Sequence, residues 1–195
     1  MQKNEALPLI KRVIIKLRYM KNFITFILSA LFIAPIVSTA QNKDPETQIK
    51  ELGIKLIKPA APVANYLKAV RVGNMVYLSG HGPDKPEGGY ITGKVGGNLS
   101  VEQAKEAARV TAVSLLSTLK AEIGDLNKVK RIVRVFGMVN SVPAFEDHPQ
   151  VINGCSDLMV KVFGENGKHA RCAVGMNSLP FNIAVEIEML VELKE

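Results

Sequence analysis

From Ile183 to Leu193 every odd position is apolar (Ile183, Val185, Ile187, Met189, Val191, Leu193), while Glu186, Glu188 and Glu192 occupy even ones. Successive side chains of a strand point to opposite faces, so this period of two predicts a strand with one face on a core and the other polar. Upstream, His169-Ala170-Arg171-Cys172-Ala173-Val174-Gly175 is a second strand-like run with one arginine inside it. Arg171 and Ala173 share a face there and Cys172 takes the other. Between the runs, Ser178 to Asn182 contains a proline and an asparagine, residues that favour turns. The spacing leads us to expect an antiparallel pair with Arg171 and Glu186 as neighbours. A cation and a carboxylate on apolar strands are either a structural ion pair joining strands or subunits, or a ligand site.

The rest of the chain supplies an α+β order. Asp44-Pro45-Glu46, then Gln48 to Leu52 and Gly53, reads as a short helix with an aspartate cap, proline in the first turn and glycine past the end. Gly73-Asn74 between apolar runs predicts a tight hairpin. Gly82 to Gly97 is a glycine-rich connection with a short strand expected at Tyr90 to Val95; it lacks the lysine and hydroxyl order of a phosphate-binding loop. Ser100-Val101-Glu102-Gln103 is a capping box, and Ala104, Ala108, Ala112, Leu115, Leu116 and Leu119 mark the buried face of a long helix ending before Gly124. A strand at Val129 to Val139 and a helix around Gln150 to Phe163 follow. Strands at both ends around two helices, without a regular βαβ repeat, argue α+β rather than a doubly wound sheet.

The N-terminal residues are a separate matter. Phe23 to Val37 is apolar, preceded by Lys16, Arg18 and Lys21 and closed by Ser38-Thr39-Ala40, the layout of a secretory signal peptide. The run is shorter than the roughly 20 residues needed to span a bilayer. The organisation expected is a leader at 1–40, with Met20 as an alternative start, an appendage with a short helix at 41–57, and one domain at 58–195. The mature chain would be exported, periplasmic or secreted, without a stable membrane span. The leader carries six Lys/Arg and one acid, so of the formal net charge of +7 only +2 remains downstream. That balance lacks the electrostatic footprint of a nucleic-acid binder; the cluster Lys128, Lys130, Arg131 and Arg134 reads as a solvated strand edge. Cys155 and Cys172 can be a disulfide or two buried thiols. His81, His148 and His169 are scattered, without the close pairing of a zinc site, and no metal is expected.

Several of these segments resemble one family. Ala170-Arg171-Cys172-Ala173, followed after Leu179-Pro180 by Val185-Glu186-Ile187-Glu188, is similar to the C-terminal signature of the RidA (YjgF) family of imine deaminases, including the fifteen-residue step from arginine to glutamate. Tyr66, then Ala69-Val70-Arg71 and Gly73 to Gly80, resembles that family's opening hairpin, and Val151-Ile152-Asn153 its asparagine-bearing helix. The likeness runs from about Lys58 to Leu193. The longer glycine-rich loop and the Phe145 to Gly154 segment look more like the branch described as YjgF/chorismate mutase-like, putative endoribonuclease (L-PSP-like).

The resemblance implies a chorismate mutase-like/YjgF-like domain, with a mixed sheet of about six strands and two helices on one face, assembled as a homotrimer with sites between subunits. It implies hydrolysis of a small 2-imino acid or its enamine to the keto acid and ammonia, without a cofactor. Arg171 would grip the substrate carboxylate, which a guanidinium does with two parallel hydrogen bonds. Glu186 would manage the water and the proton. Tyr66, Asn153 and the main chain at Gly80 and Ala173 would line the pocket. Glu188, on the same face as Glu186, is an alternative to it. Ala173 stands where the enzyme branch has a cysteine, and Leu67, Lys68 and His81 fall where glutamine is common there. Two other readings stay open: a non-catalytic ligand-binding trimer, and a ribonuclease, disfavoured by charge and by the lack of paired histidines.

Overall fold

In the computed structural model, which describes Ile14 and residues 44–195 apart from 60 and 63, the alternating C-terminal run is the central strand of a five-stranded sheet. The expected leader therefore lies outside the described residues, Ile14 excepted. In chain order the elements are α1 (Pro45–Glu51), β1 (Ala69–Val72), β2 (Met75–His81), α2 (Val101–Ile123), β3 (Val129–Asn140), α3 (His148–Phe163), β4 (Ala170–Met176) and β5 (Val185–Leu193). The strand order is β1-β2-β5-β3-β4. All neighbours are antiparallel except β3 and β4, which the α3 crossover makes parallel. Among the described residues no helix is long and apolar enough to cross a membrane.

The first two helices begin where their sequences say they should, and α3 starts at His148, two residues before the expected Gln150. Asp44 accepts a hydrogen bond from the Glu46 amide at 3.0 Å, and Pro45 opens α1. At α2 the Ser100 hydroxyl accepts from the Gln103 amide (3.2 Å) while the Gln103 side chain accepts from the Ser100 amide (2.9 Å), so two otherwise orphaned donors are satisfied. Gly124 ends the helix at φ 80°, a conformation a side chain resists. The short α1 joins the same core through Ile49, and Glu46 both pairs with Lys120 and accepts from the Leu126 amide at 2.8 Å.

Val185, Ile187, Met189, Val191 and Leu193 are all buried, with Val76, Leu78, Ile132, Val135 and Val139 beside them on one face of the sheet. Against that face pack α2, through Ala104, Ala108, Ala112, Leu115, Leu116 and Leu119, and α3, through Ile152, Cys155 and Met159. Gly154 of α3 lies so close to α2 that a Cβ would run into the Lys105 carbonyl.

Two expectations need correction. The runs ending the chain are not an antiparallel pair: β3 lies between β4 and β5, pairing Arg171 with Val135 and Val135 with Met189. The reason is the crossover: α3 returns the chain parallel to β3 on its free edge, and the chain then crosses back to insert β5 beside β2. The composition fits those places, since β4 is short and exposed over Ala170 to Cys172, as an edge strand can be, whereas β5 is hydrogen-bonded on both sides. Five strands form where about six are expected. Tyr90 to Val95 makes only isolated bridges, because the segment's glycines take positive φ (Gly89 76°, Gly93 134°, Gly96 81°) and break a continuous ladder.

The helix contact gives a direct test. Gly154→Ala should destabilise the fold by about 1–3 kcal/mol, because backbone on the neighbouring helix, rather than a movable side chain, meets the new methyl group. The denaturant midpoint of the variant measures it; an unchanged midpoint would mean the helices are not this close.

Candidate active site

The six residues singled out in the sequence fall into two groups. Arg171 and Ala173 project from β4 toward the helices, on the face shared with buried Val135 and with Gly137. There the Arg171 Nη1 donates to Asn153 Oδ1 at 2.8 Å and to Ser156 Oγ at 3.1 Å, both on α3. Asn153 is thus placed by its helix to orient the guanidinium. Both hydrogens of Nη1 are taken, which leaves the Nε–H and the Nη2 hydrogens as a parallel fork for a carboxylate.

Glu186, Tyr66 and Gly80 form the second group, on the other side of the sheet. Glu186 pairs across to Met138 and then Val174, one residue out of phase with the Arg171 row. Within one chain Arg171 and Glu186 therefore occupy opposite faces and do not form an ion pair, which corrects the expected adjacency. Glu186 opens onto a cavity of about 410 Å³ lined also by Tyr66, Ser79, Gly80, Tyr90 and Phe181. A side chain at Gly80 would collide with the Glu186 carboxylate. Here glycine is required by space, and a substitution would displace the acid.

Local structure explains how the cavity is built. The β2–β5 register shifts between Leu78 and His81, a bulge that re-aims Ser79 and Gly80. Buried His81 fixes it: Nδ1–H donates to the Ser79 carbonyl at 2.7 Å, so bare Nε2 accepts from Thr118 Oγ1 at 2.8 Å. Burial lowers the His81 pKa from the ordinary histidine value, which matches this neutral ring. On the opposite wall Phe181 (φ 55°) and Asn182 (φ 54°) sit in the left-handed region that non-glycine residues resist. Buried Asn140 holds that turn, donating to Asn182 Oδ1 (3.0 Å) and to the Ile183 carbonyl (3.2 Å). Phe181 stacks on Tyr90 with centroids 6.0 Å apart, closing an aromatic wall beside the acid.

Burial, and after it the Glu188 carboxylate, raises the Glu186 pKa above the ordinary carboxylate value. A carboxyl poised upward in a cleft is suited to taking and returning a proton. Glu188 itself is exposed and lies outside this cavity, next to Arg134 and Phe136. Cys155 is buried and Cys172 exposed, and both are free thiols. Among the described residues no group of three or more His, Cys, Asp or Glu could hold a metal ion. Tyr90, Phe181 and Ser156 did not stand out in the sequence. The first two come from loops and the third from mid-helix, where neither periodicity nor spacing distinguishes them.

The raised pKa has a consequence for stability. A carboxyl whose pKa folding raises favours the native state while protonated, and that contribution is lost as pH rises through the folded-state value. Glu186→Gln should therefore be more stable than the unsubstituted protein at pH 7–8, with the gain vanishing at about pH 4 and below, where both carry a neutral side chain. Thermal midpoints across that range measure it; a gain independent of pH would show that the charge is not the cause.

Comparison with known proteins shows the family. The family described as YjgF/chorismate mutase-like, putative endoribonuclease matches residues 46–193. Protein TCP17 of Trypanosoma cruzi is 47% identical over 146 residues, 74% of this chain and 91% of its own length. A 2-iminobutanoate/2-iminopropanoate deaminase of Dermatophagoides farinae is 31% identical over 134 residues, 68% of this chain and 89% of its own. Among solved structures, Atu1372 of Agrobacterium tumefaciens, of unknown function, superposes with a TM-score of 0.71 at 44% identity, covering 77% of this chain and 94% of that one. A putative endoribonuclease of Shewanella oneidensis superposes with a TM-score of 0.74 at 29% identity, over 77% of this chain and all of that one. Because that family's match takes in most of the chain, and relatives at 47% and 31% identity align over more than two thirds of it, the chain belongs to the YjgF/chorismate mutase-like, putative endoribonuclease family.

Proposed function

We propose that the protein is a RidA-type hydrolase converting small 2-imino acids, or their enamine tautomers, to 2-keto acids and ammonia. The observation that carries this reading is the pair of half-sites: an arginine whose Nη1 is pinned so that its other edge faces outward, and a glutamate of raised pKa in a cavity. A relative named 2-iminobutanoate/2-iminopropanoate deaminase supports the substrate class. Arg171 binds the carboxylate and presents C2 of the imine. Glu186 takes a proton from water as its oxygen attacks C2 and passes it to the imine nitrogen, giving a carbinolamine; it then takes the hydroxyl proton and delivers it to that same nitrogen, so that the C–N bond breaks, ammonia leaves and the carbonyl forms.

Because Arg171 and Glu186 lie on opposite faces of one sheet, the reaction requires two chains, with the β4 edge of one subunit meeting the Glu186 cavity of the next. A homotrimer closes such contacts in a ring. Apolar side chains on the helix-free face, Val72 (63% exposed) and Tyr77 (51%) among them, supply surface for the contact. In this reading residues 1–40 are an export leader and the reaction takes place outside the cytosol.

The test is ammonia release by residues 41–195 from 2-iminopropanoate and 2-iminobutanoate generated in situ. Arg171→Ala should abolish measurable turnover while circular dichroism stays unchanged. Glu186→Gln should lower kcat by roughly 10²–10⁴-fold with KM little altered. Co-refolding the two inactive variants should restore part of the activity, since mixed assemblies contain sites with an intact Arg171 from one chain and an intact Glu186 from another. Absence of hydrolysis by the folded protein would overturn the reading in favour of a ligand-binding trimer, and failure of the mixture to regain activity would place both residues' roles within one subunit.

A further inference from the structure

Behind Arg171 runs a chain of hydrogen bonds with a fixed direction. His169 Nδ1 is 2.6 Å from the Gly167 carbonyl, which can only accept, so Nδ1 carries the proton and Nε2 is bare. Ser156 Oγ lies 3.1 Å from that Nε2 and must donate its single hydrogen to it. The hydroxyl's lone pairs are thereby turned toward Arg171 Nη1, also at 3.1 Å. The far end is anchored in backbone: Gly167 is buried against α3, where a side chain would run into the Met159 carbonyl. Burial, with the Arg171 charge adding to it, lowers the His169 pKa, which keeps Nε2 available as an acceptor at neutral pH.

Resting on the reading of Arg171 as the carboxylate grip, we propose that His169 and Ser156 are positioning residues that hold the guanidinium with its Nε–H and Nη2 edge presented to the substrate carboxylate. Asn153 restrains Nη1 from one side and the Gly167–His169–Ser156 chain from the other. Together they stop the guanidinium rotating about its long, flexible stem, whose ordering would otherwise be completed only when substrate binds. Bonds in such a chain polarise one another, so the serine without its histidine is a weaker and less directed acceptor. Neither residue touches the substrate, and both act before the chemical step.

The experiment is titration of pyruvate and 2-oxobutanoate, the keto-acid products, into the mature protein by calorimetry, alongside KM and kcat for the imino acids. The variants are Ser156→Ala, His169→Leu, His169→Gln, the Ser156→Ala/His169→Leu double and Arg171→Ala. Ser156→Ala and His169→Leu should each weaken keto-acid binding and raise KM by about five- to tenfold, leaving kcat within about threefold. The double variant should be no weaker than the single ones, because both remove the same chain. His169→Gln, whose Oε1 can stand in for Nε2 as the acceptor, should recover most of the loss. Nitrogen NMR should show a protonated Nδ1 and a bare Nε2 on His169, with Nε2 shifting on Ser156→Ala. Multiplicative losses in the double variant, no rescue by a folded His169→Gln, or unchanged affinity in the single variants would overturn the positioning role while leaving Arg171's intact. Keto-acid binding by Arg171→Ala equal to that of the unsubstituted protein would overturn both.

Discussion

Hydrogen bonding on both edges of β5, to β2 and to β3, fixes where everything else can go. Its apolar side makes the floor on which α2 and α3 pack, and a strand so placed cannot slip by one residue without turning five buried side chains to the outside. The same register leaves Glu186 on the opposite side, next to the bulge where β2 departs from a regular ladder. Only glycine leaves room at position 80 for the carboxylate to lie there. Glu186 thus owes its position to core packing and its space to a missing side chain.

The arginine is placed by different means. Edge strand β4 is held on one side only, and its outward residues would be free to move were α3 not above them. From α3, Asn153 and Ser156 reach down to the guanidinium, and His169 ties Ser156 to the main chain. In the proposed reaction, an acid under desolvation and a cation under restraint would serve complementary parts of a carboxylate-bearing imine. The thickness of the sheet separates the two.

Much of this could be read in the residues. The capping box at Ser100, the Asp44 cap, the glycine stop at Gly124 and the alternation of β5 are local signals, and the structure places each element where those signals point. Arg171 and Glu186 stand out because charges inside apolar runs are rare, whereas Tyr66, Gly80, Asn153 and Ala173 are singled out only by the family resemblance. Tyr90 to Val95 makes isolated bridges rather than the expected strand, because glycines in and beside it take positive φ. Tyr90, Phe181, Ser156 and the tautomer of His169 carried no signal, since each gains its role from a partner distant in the chain.

Apart from Tyr90 to Val95, the amino-acid order alone determined which segments are helix or strand, which face of each is apolar, and which charged residues stand where a core would reject them without a partner. These follow from interactions over a few residues: side-chain period, capping and turn chemistry. Which strands become neighbours was decided only in three dimensions. The α3 crossover and the insertion of β5 between β2 and β3 depend on burying one continuous apolar face, a property of the whole sheet. That choice set Arg171 and Glu186 on opposite faces, although fifteen residues of sequence suggested a hairpin that would have made them neighbours.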